Sequence, residues 1–289
     1  MDISRGCYWI GYPGNLYPVG DNVGEVGLEH DDEPKITRIL GGGISARVNR
    51  TRANRTWAVT IPDAEVDDVT NLQALLALGI PSGYAWVTPF AQVTNVLTPE
   101  QSMLRSSSPA LALSGAWPIA DTGGQKFAIA TRLNPSAAFG NIAPVTVGPC
   151  PIPPWWAGRK VTVSSYLATA RPQGAYVVLQ WLNAAGAPMG TPVQGNAVTG
   201  MDGVRRSVAT GTPPPGAASC RWTNNYAEVI AQPAGTWTDS PTTWGVGGGA
   251  QRVLVHGLRE SIGEWAVAND QSRIREDVSF IVLETGPLT

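Results

Sequence analysis

Short runs of alternating apolar and polar residues, each ended by glycine or proline, recur along most of this chain. In the stretch YVVLQWLNAAGAPMG, residues 176–190, the side chains of Val177, Leu179 and Trp181 project to one face of an extended chain, and a turn follows. The same pattern occurs in KFAIATRL, KVTVSSYLA, RRSVATG, SCRWTNN, QRVLVHGL and DVSFIVLET. The 33 glycines and 24 prolines also disfavour long helices. The sequence therefore predicts a mainly β fold with the strand spacing of a β-sandwich.

One helix is predicted near residues 63–78, between two strands. The strand RTWAVTIP presents Trp57, Val59 and Ile61 on one face, and Pro62 is expected to end it. Asp63 is then expected to cap a helix. Its apolar stripe has helical spacing and consists of Val66, Val69, Leu72, Leu75 and Leu76. GYAWVTPF returns to strand character, so the helix is expected to cover one face of a sheet.

A chain of 289 residues is long enough for two hydrophobic cores. The first domain is expected to span residues 1–95 and to include the helix, and a β-sandwich is expected to span 96–258. Residues 259–289 form a C-terminal segment. Its strand, within 275–289, is expected to return and complete the first domain.

Side chains for catalysis or metal binding are sparse. His30 lies in LEHDDEP, which lacks the alternating ligands and turn glycine of a calcium loop, so a solvated acidic loop is favoured. His256 alternates along a predicted strand, as a sheet histidine does. The glycine runs 40–45 and 245–250 lack the features of a phosphate loop and are expected to be flexible. We therefore expect no enzyme activity, catalytic residue, cofactor or metal site.

Charge, hydropathy and cysteine number argue against several classes of protein. A net charge of −2 provides no basic field for nucleic acid. No apolar run reaches about 18 residues and no export signal is recognised, so neither a membrane span nor secretion is expected. Cys7, Cys150 and Cys220 are widely spaced and odd in number, which favours buried thiols, although a Cys150–Cys220 disulfide stays open.

Two groups of side chains are candidates for contacts with other molecules. The first is an arginine stripe that fits either a solvated edge strand or a docking surface for an acidic neighbour, and it consists of Arg47, Arg50, Arg52 and Arg55. The second comes from the 11 tryptophans. Trp181 and Trp222 alternate inward on predicted strands and are expected in the core.

Four other tryptophans are candidates for stacking on a sugar ring or for a protein interface. Trp155 and Trp156 are adjacent after PIPP, so they are expected to point in opposite directions and to leave one ring exposed. Trp237 and Trp244 lie in the turn-rich stretch GTWTDSPTTWG, and this loop is the favoured place for a ligand or an interface.

The segment RTWAVTIPDAEVDDVTNLQALLALGIPSGYAWVTPFAQVTNVLTPEQS resembles the start of minor tail proteins of long-tailed bacteriophages. The resemblance lies in the order of a tryptophan-bearing strand, an acidic-capped helix, an aromatic strand and TNVLTPEQS. The later stretches RKVTVSSYLATARPQGAYVVLQWLNAAGAPMGT, PPPGAASCRW and TWTDSPTTW resemble the galactose-binding-like jelly roll that such proteins often carry, and DVSFIVLETG resembles their C-terminal end. The resemblance begins at about residue 55 and does not extend to residues 1–54.

This layout is similar to that of distal tail proteins. The resemblance implies a mainly β protein in which an N-terminal β domain with one α-helix is followed by a jelly roll of the carbohydrate-binding-module type. It also implies a virion protein of the tail tip, made in the host cytoplasm. Its first domain would form a ring, expected to be a hexamer, that contacts the tail tube and other tail-tip proteins. Two alternatives are a peripheral adhesin that binds host cell-wall glycan and, less favoured, a secreted carbohydrate-active enzyme.

Overall fold

The protein is mainly β and divides into two compact units. The computed structural model describes residues 7–19, 25–30, 35–39, 43–47, 55–78, 84–104, 131–133, 144–199, 204–268 and 271–285. Unit 1 comprises Met1–Tyr8, Tyr17–Tyr84 and Arg252–Thr289, and unit 2 comprises Trp9–Leu16 and Ala85–Gln251. The boundary expected near residue 95 therefore falls inside unit 2, because residues 89–102 contact a strand of the sandwich.

Unit 1 is an antiparallel sheet with a helix. Its elements in the described part of the chain are β3 (Glu25–His30), β4 (Lys35–Ile39), β5 (Gly43–Arg47), β6 (Arg55–Glu65), α1 (Val66–Leu78), β16 (Ala250–Ala268) and β17 (Gln271–Glu284). Four of these strands lie in the order β16, β17, β6 and β3, and β4 pairs with β5 as a separate hairpin. The C-terminal strand β17 therefore lies between β16 and β6.

The core of unit 1 forms where β6 and β17 pair. Trp57, Val59 and Ile61 lie directly opposite Val282, Phe280 and Val278, and all six side chains are buried. Cross-strand apolar pairs of this kind stabilise a sheet and set its register, because a shift of one residue would turn every core side chain to the other face.

The helix α1 begins at Val66, three residues later than the expected cap at Asp63. β6 continues through Pro62 to Glu65, because the ladder with β17 has a register shift opposite residues 61–64. Proline is tolerated at such a bulge, where its missing N–H removes no ladder hydrogen bond. Val69, Leu72 and Leu75 of the predicted apolar stripe are buried, and the helix contacts β6 and β17.

Unit 2 is a β-sandwich preceded by short elements. Its first elements are β1 (Tyr8–Tyr12), β7 (Tyr84–Val87), α2 (Pro89–Thr94) and α3 (Pro99–Ser102), and β2 (Asn15–Val19) is divided between the two units after Leu16. The sandwich strands are β8 (Thr131–Leu133), β9 (Val145–Pro151), β10 (Val161–Ala168), β11 (Tyr176–Leu182), β12 (Pro188–Gln194), β13 (Arg205–Gly211), β14 (Ser219–Asn225) and β15 (Val229–Thr236). A single 3-10 turn, Trp155–Ala157, lies between β9 and β10.

The eight sandwich strands form two antiparallel sheets. One has the order β13-β10-β15-β8 and the other has the order β12-β11-β14-β9. Successive strands therefore alternate between the sheets, except at the β11–β12 hairpin. Asn183 closes that hairpin, because its side-chain oxygen accepts from Ala185 N at 3.0 Å and Ala187 N at 2.9 Å.

The sandwich core confirms the inward orientation predicted for Trp181 and Trp222. Both rings are buried. Trp222 Nε1 donates across the sandwich to Ser165 Oγ at 3.2 Å, and Gly235 leaves room for the ring from the opposite sheet. A buried indole N–H needs a partner, so this bond fixes the orientation of the ring as well as satisfying it.

Two sandwich strands that the sequence did not predict, β9 and β15, contain both proline and glycine. β9 (VTVGPCP) and β15 (VIAQPAGT) each pair with neighbours through a register shift. In β15 the irregularity includes Gln232, whose backbone has a positive φ of 47°. Partner strands distant in the sequence stabilise these bulges, so local proline and glycine signals did not end the strands.

Candidate interaction surfaces

The helix α2 exposes two apolar side chains. Thr88 caps it, because its hydroxyl accepts from Ala91 N at 3.1 Å, and Pro89 occupies the first helical position. Gln92 is buried, whereas Phe90 is 71% exposed and Val93 is also exposed. Neither residue was among the predicted contacts, although the Thr-Pro start followed by apolar residues three positions apart is a recognisable helix signal.

Both tryptophans of the 3-10 turn are exposed. Trp155 is 53% exposed and Trp156 is 47% exposed. The expectation that at least one ring is exposed assumed an extended chain, and both rings face solvent. In this turn the two residues are helical instead, and Gly158, with a φ of 67°, ends the turn.

These exposed side chains belong to three neighbouring segments of unit 2. Arg159 Nη1 donates to Gln92 Oε1 and joins the 3-10 turn to α2. Gly245 lies beside Thr94 at the end of α2, and Val246 next to it is exposed. We call the exposed set the apolar patch, and it consists of Phe90, Val93, Trp155, Trp156 and Val246. Exposed apolar side chains on neighbouring segments make this part of unit 2 a candidate interaction site.

Trp237 and Trp244 do not form the exposed site that their loop suggested. Trp237 is buried, its backbone N–H donates to Gln92 O at 2.7 Å, and its Nε1 donates to Pro151 O at 3.2 Å. Trp244 is partly buried, and its Nε1 donates to Pro233 O at 3.1 Å. Trp9 packs against both Trp156 and Trp237, with ring centroids 5.9 and 5.7 Å apart. Trp9 therefore packs between Trp156 of the apolar patch and the buried ring of Trp237.

Asn95 is the central polar residue below α2. Its side-chain amide donates to Pro233 O at 3.1 Å and to Gly245 O at 3.0 Å. Its side-chain oxygen accepts from Gly235 N at 3.1 Å and from Leu97 N at 3.3 Å. The residue is fully buried, and three of these four bonds, those to Pro233, Gly235 and Gly245, connect segments that are distant in the sequence. A buried network in which every group is satisfied holds its segments in one arrangement.

The glycine run at 245–249 is closely packed and is not the flexible loop expected. A Cβ at Gly247 would lie 2.3 Å from Leu97 O, and one at Gly249 would lie 2.1 Å from Val96 O. The backbone of this run donates from Gly247 N to Ser102 Oγ at 2.8 Å and from Gly248 N to Asn95 O at 2.9 Å. The glycines are needed because two backbone segments meet here.

The arginine stripe is not a continuous surface. Arg55 is buried, and its guanidinium donates to both carboxylate oxygens of Glu284, at 2.7 and 2.9 Å. It also lies over the ring of Trp57, 5.0 Å from the centroid. Arg55 therefore belongs to a paired internal site, which corrects its place in the stripe. Arg47 ends β5 opposite Lys35, and Arg50 and Arg52 lie outside the described residues.

The histidines form no metal site in the part of the chain that the structure describes. His30 ends β3 opposite Arg55, and residues 31–34 of the acidic stretch lie outside the described residues. His256 is exposed on β16 opposite Ile281. No group of three or more histidine, cysteine, aspartate or glutamate side chains comes together among the described residues.

Cys150 and Cys220 are neighbours but remain thiols. They lie directly opposite each other on β9 and β14, are buried, and have their sulfur atoms 3.4 Å apart. The hydrogen bond with Cys150, together with burial and the nearby Cys150 charge, raises the pKa of the Cys220 thiol well above its usual range. Cys7 is also a buried free thiol.

The fold and surfaces define a mainly β protein of two units, with a β-sandwich and an exposed apolar patch in unit 2. Among the described residues, no helix is both long and apolar enough to span a membrane. No protein-family model matches the sequence, and no match is found among curated proteins.

Among solved structures, the chain is similar to the enzymatically active domain of tailspike protein 4 of bacteriophage CBA120. The TM-score is 0.26 and the sequence identity is 9%, with 75% of this chain and 20% of that chain covered. The chain thus spans about a fifth of the length of that protein. A TM-score of this size establishes neither a common fold nor a common activity.

Proposed function

We propose that the chain is a structural protein of the tail tip of a long-tailed bacteriophage, in the role of a distal tail protein. It assembles with copies of itself into a hexameric ring, joins the tail tube to other tail-tip proteins, and displays its sandwich. The role is structural and not catalytic. Its first support is the sequence resemblance, which covers the strand-helix-strand order and the TNVLTPEQS segment.

The observation that carries the proposal is the apolar patch. Three segments of unit 2 each expose apolar side chains. Exposure of indole and phenyl rings to water does not stabilise an isolated protein, whereas their burial is favourable. A permanent assembly covers such surface with a neighbour, because burial of aromatic area dominates the energetics of interfaces.

The TNVLTPEQS segment supports this role because it forms the base of the patch. Asn95 connects α2 to the 233–245 region through three hydrogen bonds. Thr98 and Gln101 form a capping box that starts α3, and Ser102 accepts from Gly247. The residues that carry the resemblance therefore hold the exposed side chains of α2 in place, and such preorganisation favours a defined interface.

The mass of the protein in solution tests this proposal. Light scattering of the full chain, with and without the tail-tube protein of the same virus, is expected to detect a six-fold assembly. A double variant, Phe90→Ser with Trp155→Ser, is expected to raise the midpoint concentration for assembly at least tenfold, because two large contacts are lost. A matched control is Leu254→Ser, which removes an exposed apolar side chain of unit 1 and is expected to assemble normally.

Two outcomes would contradict the proposal. A chain that stays monomeric at high concentration, even with the tube protein present, argues against the ring. An assembly that forms equally well in the double variant and the control places the interface elsewhere than the apolar patch. Thermal unfolding of each variant separates loss of assembly from loss of fold.

The second candidate function is a peripheral tail adhesin that binds host-surface glycan. The observation that favours it is the outer face of the β12-β11-β14-β9 sheet, where the rings of Tyr176 and Tyr226 lie 5.9 Å apart and Thr223 and Asn225 share the register of β11. This face is distinct from the apolar patch, so the two functions can be tested separately.

A further inference from the structure

The two outer faces of the sandwich differ in how far they are covered. On the face of the β13-β10-β15-β8 sheet, Thr162 Oγ1 donates to Thr238 O at 2.6 Å and Arg206 Nη1 donates to Thr242 O at 2.6 Å. Arg206 also donates from Nε to Ser164 Oγ at 3.1 Å. The segment that follows β15 therefore covers this face, and the hydrogen-bonding groups of these side chains are satisfied within the chain.

The opposite face is the outer surface of the β12-β11-β14-β9 sheet. Its polar side chains alternate along the strands with residues that are buried in the core. Val177, Leu179 and Trp181 point inward from β11, so the alternating residues of that strand point outward. Strand register aligns the outward residues of the four strands. We call this the open face, and its eight side chains are Thr146, Tyr176, Val178, Gln180, Gln194, Arg221, Thr223 and Asn225.

Most hydrogen-bonding groups of the open face are uncommitted. Gln180 donates to the backbone of β11 and β12. In contrast, no hydrogen bond or ion pair joins Thr146, Arg221, Thr223 or Asn225 side chains to any residue that the structure describes. Arg221 is the one charged side chain among the eight. The open face thus offers hydroxyl, amide and guanidinium groups in a fixed array to an external ligand.

An aromatic pair lies at one end of the open face. Tyr176 pairs with Asn225 across the strands, and Tyr226 follows at the end of β14. The two tyrosine rings have centroids 5.9 Å apart at an interplanar angle of 66°. Tyr226 is 38% exposed, and its backbone has a positive φ of 55°. A bulky residue rarely adopts this conformation, so the chain accepts strain where it presents this ring to solvent.

The open face is wide enough for a chain ligand. Thr146, Thr223, Val178 and Gln194 form one row across four strands, which spans roughly 14 Å at the usual strand separation. Aromatic rings stack on the apolar faces of sugars, and amides and hydroxyls bind sugar hydroxyl groups. A guanidinium binds a carboxylate in a bidentate manner.

Resting on the second candidate function, the glycan-binding adhesin, we infer that the open face binds an acidic polysaccharide. Sugar rings pack on Tyr226 and Tyr176, Thr223 and Asn225 bind hydroxyl groups, and Arg221 binds a carboxylate of the polymer. The site does not depend on ring assembly, because none of these residues belongs to the apolar patch.

Calorimetric titration of the full chain tests this site. One ligand is an oligomer of galacturonic acid, and its matched control is the same oligomer with every carboxyl reduced to a neutral hydroxymethyl group. A panel of other acidic and neutral polysaccharides is titrated in parallel. The acidic member of each pair is expected to bind at least tenfold more tightly. Arg221→Gln is expected to remove that preference without preventing the weaker binding of the neutral member.

A second variant tests the aromatic contact. Tyr226→Asn removes the ring but keeps a residue that tolerates positive φ, so the fold is expected to be retained. Affinity for both members of a pair is expected to fall at least tenfold. Leu254→Ser is the control, because it removes an exposed apolar side chain that lies outside both the open face and the apolar patch, and the affinity for each polysaccharide is expected to be unchanged.

Three results would overturn the assignment. The first is that no polysaccharide of the panel binds with an affinity that changes in Arg221→Gln and in Tyr226→Asn. The second is equal affinity for acidic and neutral members with no effect of Arg221→Gln. The third is a loss of binding in Trp155→Ser with full binding in Tyr226→Asn, which would place the sugar on the apolar patch instead.

Discussion

At the scale of single residues, burial changed the role of side chains that look reactive or exposed in the sequence. Arg55 belongs to an internal pair with Glu284, and Trp237 and Trp244 donate their indole N–H groups to backbone carbonyls. Cys150 and Cys220 pack as neighbouring thiols. Each of these arrangements depends on a partner more than about ten residues away in the chain, and residue type alone does not specify that partner.

The Cys220 thiol predicts how stability depends on pH. Its pKa is raised in the folded chain, chiefly by the hydrogen bond with Cys150. The folded protein therefore keeps a proton that the unfolded chain loses above the usual thiol pKa of about 8.5. Stability is expected to be unaffected by this group below that pH and to fall as the pH rises toward the folded value.

Denaturant unfolding of the reduced protein between about pH 7 and pH 10 measures this dependence around the usual thiol pKa. In Cys220→Ala the decline with pH is expected to be shallower than in the original chain. Parallel declines in the two proteins would show that other groups cause the loss of stability.

At the scale of elements, segments with a periodic sequence pattern form the helix or strand that the pattern predicts. Segments whose backbones pack closely together have no such pattern and were not predicted. The apolar stripe of α1 and the alternation in β6, β11, β14 and β17 agree with the buried side chains. These patterns are local, because packing against one neighbouring layer is enough to bury the apolar face of a helix or strand. The glycine run at 245–249 has no such period, and its structure depends on contact with residues 96–98.

The glycine run yields a prediction with an internal control. Gly249→Ala is expected to destabilise the protein by more than about 2 kcal/mol, because its Cβ would meet Val96 O at 2.1 Å and backbone must move. Gly245→Ala is expected to be tolerated, since its Cβ would meet only the Thr94 side chain at 3.7 Å. Free energies of unfolding from denaturant titration compare the two. A similar loss of unfolding free energy in both variants would mean that the backbone around the glycine run moves to accommodate an added Cβ.

At the scale of the whole molecule, one chain builds two cores from interleaved segments. Unit 1 combines residues from both ends of the sequence, and unit 2 takes most of the middle. The central pairing of unit 1 joins β6 to β17, which is more than two hundred residues distant in sequence. Each core is expected to respond mainly to substitutions of its own residues.

Matched core truncations test this independence. Phe280→Ala removes a buried ring opposite Val59 in unit 1, and a cost of about 3 to 5 kcal/mol is expected. Hydrogen exchange is expected to increase in β6 and β17 and to change little in β11 and β14. Leu179→Ala in unit 2 is expected to produce the reverse pattern. Loss of protection in both units from either variant would instead indicate one cooperative fold.

The sequence by itself determined the mainly β class, the helix with its apolar stripe and the inward tryptophans of the sandwich. These features follow from alternation and turn chemistry within short windows, where each residue's neighbours in sequence are also its neighbours in space. The tertiary structure alone decided which tryptophans are exposed, why the glycines at 247 and 249 are needed, and which sandwich face the described residues leave uncovered. Those properties depend on contacts between segments that are far apart in the chain, where packing excludes water. A local sequence pattern carries no information about such contacts.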